Sequence, residues 1–152
     1  MDIYEELEEQ ASALGVSVKE KPLQYNDGRI RGNRVLIRST IPTRTQKAAV
    51  LAEELGHHLT AVGNILDQSD TGNRKQELRG RIWAYNRLIG MEGILKAYKA
   101  GCRSRYEMAE LLDVPEEMLQ EALDYYHARY GLCFKLDNYV IYFEPLGVME
   151  RI

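Results

Sequence analysis

One segment constrains the chain more than any other. Pro42 precedes Thr43, and Gln46 follows three residues later. In that pattern the cap hydroxyl and the third helical residue satisfy each other at a helix N-terminus. Ala48, Leu51, Ala52, Leu55, Leu59 and Val62 then recur at helical spacing, and Gly63 and Asn64 end the run. A helix advances about 100° per residue. With Leu55 at the middle of the apolar stripe, Glu53 and His57 point to nearly the opposite side, Glu54 lies to one side of them, and His58 leans toward the core. The helix can therefore pack through one face and present a carboxylate and an imidazole, neighbours at i, i+4, on the other. Such a pair is commonly just solvated, so this helix does not decide its own role.

The elements around it follow from local signals. Ile3, Leu7, Ala11 and Leu14, stopped by Gly15, predict an N-terminal amphipathic helix. Val16 and Val18 begin a short strand, Asn26-Asp27-Gly28 marks a turn, and Arg34–Arg38 is a β-favouring run. Together they predict a small antiparallel sheet ahead of the capped helix. Gly63 to Gly72 is polar and reads as a loop. A second long helix is expected from about Arg74 to Lys99, broken near Gly90, with Ile82, Tyr85, Leu88 and Ile89 on its apolar side. Shorter helices follow at Arg105 to Leu112 and Glu116 to Tyr130. Leu132 to Leu136, Asp137-Asn138 and Tyr139 to Phe143 predict a terminal β-hairpin.

The expectation is one α+β domain over residues 1–152. A small antiparallel sheet packs on a helical core through 1–98, and 99–152 supplies a helical portion and the hairpin. A chain of 152 residues suits one such core.

Composition narrows the function classes. The net charge is -3, so nothing global favours nucleic acid, and local charge must decide that question. Cys102 and Cys133 belong to no CxxC and read as buried or half-buried thiols. The acidic start, Met1-Asp2-Ile3-Tyr4-Glu5-Glu6, lacks a signal-type apolar run, and no stretch approaches a membrane span. The expectation is a cytoplasmic protein with no membrane partner.

The capped helix gains meaning when read with the next one. Val50-Leu51-Ala52-Glu53-Glu54-Leu55-Gly56-His57-His58-Leu59 resembles the H-E-L-G-H helix of zinc peptidases, where two histidines at i, i+4 hold the ion and the glutamate between them is the base. Glu77-Leu78-Arg79-Gly80-Arg81-Ile82-Trp83-Ala84 resembles the E-x-x-A-x-x-F-A helix of the ImmA/IrrE metallopeptidases, with Gly for Ala and Trp for Phe. The resemblance spans about Gly28 to Tyr130. It implies a zincin-like active-site helix, with Glu54 as general base and His57 and Glu77 as metal ligands. Glu53 stands where the family has its first histidine, so the motif reads EExxH. His58 pairs with Glu54 at the same spacing and is the alternative ligand, or a residue supporting the ligands. The resemblance implies a divalent metal, zinc first. The harder set Glu53, His57 and Glu77 shifts preference toward manganese or iron, and a site that has lost its metal is the remaining option. The more anionic set also leaves the ion a weaker Lewis acid.

The resemblance further implies a protein substrate, a transcriptional repressor of a phage or mobile element. The alternative is a non-catalytic relative that binds a repressor or toxin. No oxyanion-stabilising residue is assigned; Tyr85 and Tyr106 are candidates that read as packing residues. His127 reads as structural or solvated. Tyr106 to Leu119 also resembles a helix-turn-helix, with Ala109, Val114 and Leu119 at core spacings and Asp113 in place of the turn glycine. Its second helix carries Glu116, Glu117, Glu121 and Asp124, which phosphates repel. No direct nucleic-acid partner is expected for the chain, and the helix pair reads as structural or as a protein-binding face.

Overall fold

The computed structural model describes residues 1–61 and 70–152, with backbone alone for 70–73. The chain is α+β and divides into two compact units, Met1–Ala84 and Tyr85–Ile152.

The first unit opens with α1, Ile3–Ala13. Asp2 caps it by accepting from the Glu5 amide at 2.9 Å, and the acidic first turn suits the positive end of the helix. Leu7 and Ala11 are fully buried. Gly15 turns the chain at a positive φ of 77°, which glycine adopts without strain. Strands β1 (Ser17–Lys21), β2 (Gly28–Arg31) and β3 (Arg34–Arg38) form a sheet in the order β1-β3-β2. The β2–β3 pair is antiparallel, as the sequence suggests, whereas β1 runs parallel to β3. The sheet is therefore mixed. Its parallel pair arises because the segment 22–27 carries the chain across the sheet instead of turning β1 back on itself.

Val35 and Ile37 alternate inward from β3 and are fully buried. Against them and α1 packs α2, Arg44–Thr60, capped by Thr43 accepting from the Gln46 amide at 3.1 Å. Ala48, Leu51, Ala52, Leu55 and Gly56 form its buried stripe. Leu59, expected in that stripe, is exposed. The stripe's last member, Val62, and the stop at Gly63 and Asn64 lie outside the described residues. Of the loop expected to Gly72, the last three residues are already helical, because α3 spans Asp70–Leu88.

The second unit begins in the last turn of α3. Ile89 and Gly90, the latter at φ 61°, interrupt the helix at the expected break, and α4 follows as Gly90–Lys99. Helix α5, Arg105–Leu112, is capped by Ser104, and α6 runs Glu116–Tyr130. Between them Asp113 takes the left-handed conformation, φ 56° and ψ 49°. It thus supplies the turn geometry usually given to glycine. Ala109, Val114 and Leu119 are all buried, so the helix-turn-helix spacings are core spacings. The terminal hairpin is present as β4 (Cys133–Leu136) and β5 (Tyr139–Phe143), and it is extended by a third strand, β6 (Leu146–Glu150), antiparallel to β5. Tyr126, fully buried, packs its ring on Phe143 and donates to Asn86 at 2.9 Å. Burial holds its phenol well above the usual tyrosine range. Cys102 is buried, Cys133 half-buried, and neither is disulfide-bonded.

Candidate metal centre

The candidate site lies within the first unit, where α2 meets α3. Two glycines set the approach. A Cβ on Gly56 would stand 2.3 Å from the backbone oxygen of Gly80, and a Cβ on Gly80 would stand 1.9 Å from Cδ2 of His57. The helices therefore touch backbone to backbone, and the His57 ring lies against α3 where any other residue at position 80 would displace it. This gives a physical reason for glycine, rather than alanine, in the second motif.

Glu77, one turn before Gly80, meets that ring. Its Oε2 is 3.3 Å from His57 Nε2. Nε2 is buried and forms no hydrogen bond. Two donors each about 2.1 Å from a shared tetrahedral ion lie about 3.4 Å apart. On the other side of the ring, Oε2 of Glu54 lies 3.6 Å from Nδ1. Glu54 is not on an open polar face, as helical geometry alone suggests. Its side chain is only 12% exposed. It is covered by the sheet: a Cβ on Gly28, the first residue of β2, would be 3.0 Å from its Cγ and 3.2 Å from its Oε1.

The imidazole is thus held between carboxylates. Glu54 at Nδ1 raises its pKa above the ordinary histidine value, burial opposes this, and the charges of Glu77 and then Glu53 add to the rise. Glu53 is half-buried and close enough to act on His57 electrostatically. His58, half-buried as expected, is not part of this contact set. Among the described residues no group of three or more His, Cys, Asp and Glu side chains is gathered to hold an ion. His57 and Glu77 stand at a separation that suits two donors to one cation.

The other candidates separate clearly. Tyr85 is buried, rests on Tyr125 and donates to Glu121 at 3.2 Å, which is a packing role. Tyr106 is exposed and donates to Glu110 on its own helix at 2.7 Å, so it is not a packing residue. His127 Nδ1 is 3.5 Å from Glu144 at the surface. The positions that sequence reasoning missed are Gly28 and Gly56. Their signal, glycine inside a strand and inside a helix, becomes informative only once the neighbouring element is known.

The half-buried His57 thus stands between carboxylates of two closely packed helices, with the first residue of β2 against Glu54. The family model of the IrrE N-terminal-like domain, Peptidase_M78, matches residues 11–124. The chain belongs to this ImmA/IrrE family of metallopeptidases. The family implies a divalent metal and a protein substrate. No curated protein matches the chain. No helix of the described residues is long and apolar enough to cross a membrane.

Proposed function

We propose that the chain is a metal-dependent endopeptidase whose substrate is a transcriptional repressor of a phage or mobile element, acting in the cytoplasm. The observation that carries this reading is the buried Nε2 of His57, without a hydrogen bond and 3.3 Å from a carboxylate of the next helix. His57 and Glu77 would hold the ion, with Glu53 as the third ligand from the turn before His57. A divalent cation bound there supplies the Lewis acid for amide hydrolysis. Zinc suits the histidine, and the two carboxylates widen the choice to manganese or iron. Glu54, shielded by Gly28, accepts the proton of the attacking water and returns it to the leaving amine. Its contact with Nδ1 also orients the His57 ring, as carboxylates commonly do behind metal-bound histidines.

Metal analysis of protein purified without chelator or affinity metal tests this. About one divalent ion per chain is expected, with repressor cleavage abolished by Glu54→Gln. Metal-free protein that cleaves nothing after zinc is added refutes it. A second reading has its own support, because Glu53 stands where the family has a histidine and is a weaker zinc donor than histidine. In that reading the chain binds a repressor or toxin without cutting it. Capture of such a partner that is unchanged in Glu54→Gln and in His57→Ala would favour it.

A further inference from the structure

The first unit presents two very different sheet faces. Side chains alternate along a strand, and paired residues share a face. The inward face holds Val18, Ile30, Val35 and Ile37, with Glu20 at its margin accepting from Tyr4 and Lys47. The register puts Lys19, Lys21, Arg29, Arg31, Arg34 and Arg38 together on the outward face, around a half-buried Leu36. Arg38 is paired with Asp27. The other five are exposed. Among the described residues, no strand position on this face is acidic. A chain of net charge -3 thus concentrates cations on one small sheet. The connection 22–27, between β1 and β2, crosses the Arg38 end of the sheet and carries Tyr25, which is 90% exposed.

The geometry points to single-stranded nucleic acid as the occupant of this face. Cations two residues apart on a strand are spaced about 6.8 Å and neighbouring strands about 4.8 Å. A flexible single strand can lie across such a flat grid, whereas a rigid duplex meets it along one ridge. The exposed ring of Tyr25 and the apolar Leu36 give bases something to stack on and rest against, which an acidic protein segment does not need. This surface stands independently of the peptidase reading, since none of its residues belongs to the α2–α3 centre.

Fluorescence anisotropy with a labelled single-stranded oligonucleotide tests the inference, with duplex DNA and polyglutamate as competitors. Five phosphate contacts at about -0.7 each give a slope of log affinity against log salt of about -3.5, or about a hundredfold loss between 50 and 200 mM salt. The triple variant Lys19→Thr, Arg29→Thr and Arg31→Thr, with its melting temperature unchanged, should lower the magnitude of that slope by about 2. Tyr25→Ala should weaken binding about fivefold or more without changing the slope. Absence of binding at 50 mM salt overturns the inference. So does a triple variant that binds as the parent does. Polyglutamate that competes as well as the single strand, with Tyr25→Ala silent, reassigns the face to acidic protein and equally overturns it.

Discussion

The contact between Gly56 and Gly80 yields a prediction in which even the sign is diagnostic. Gly56 is inside α2, four residues before its end at Thr60. On an isolated helix, Gly56→Ala is stabilising by roughly 1 kcal/mol, since alanine restricts the unfolded chain and favours helix. Here the new Cβ would sit 2.3 Å from a backbone oxygen and 3.0 Å from Cα of Gly80. Backbone cannot rotate away as a side chain can, so α2 and α3 must separate. Overpacking of a tight contact costs about 3 kcal/mol at the upper end of its usual range, leaving a net loss of about 2 kcal/mol. For a chain of this size that corresponds to a melting temperature lower by about 4–8 °C. Thermal and urea unfolding followed by circular dichroism measure it. Unchanged or increased stability refutes the backbone contact and, with it, the placement of His57 against α3. Gly80→Ala is the companion test. Its Cβ meets the His57 ring, which can swing aside. The expected result is a smaller loss of stability and a His57 imidazole no longer near Glu77, visible in ring nitrogen NMR shifts.

Other consequences are more local. Thr43→Ala removes the hydroxyl that caps α2 and should cost about 1 kcal/mol in urea unfolding, with Thr43→Ser restoring most of it. Tyr4 is buried beside Glu20 and Glu8, and its phenol is pushed up to about 12 from an ordinary value of 10.0, with burial the main cause. Since the folded pKa is raised, the stability linked to that proton is fully present below pH 10 and is lost as pH rises through 12. Tyr4→Phe should flatten the decline in stability over that window.

Much of the fold was legible because its signals are local. The Thr43 cap, the Ala48–Leu55 stripe, the break at Gly90 and the bounds of α5 and α6 each depend on residues within a few positions of one another. β2 and β6 were not read as strands. The turn Gly32-Asn33 was available as a hairpin signal, whereas Glu144-Pro145 is an unusual connection between strands. The parallel pairing of β1 with β3 depends on a crossing that leaves no periodic mark. At the site, the motifs placed His57 and Glu77 on facing helices, and the structure brings them to 3.3 Å. The burial of Glu54 was hidden, because helical periodicity describes one helix and Glu54 is covered by Gly28 of another element. The basic sheet face was hidden for the same reason. Lys19, Arg29, Arg31 and Arg34 are separated in sequence and share a face only through register.

The central claim is that α2 and α3 form a cation-holding centre, and zinc titration by calorimetry tests it most directly. Parent protein should bind one zinc ion per chain, and both His57→Ala and Glu77→Ala should abolish the binding. Glu53→His should tighten it, because a second imidazole replaces a hard carboxylate in a zinc set. Equal, weak heats from the parent, Glu53→His and His57→Ala would contradict the claim and leave His57 a packed histidine held by its two carboxylates.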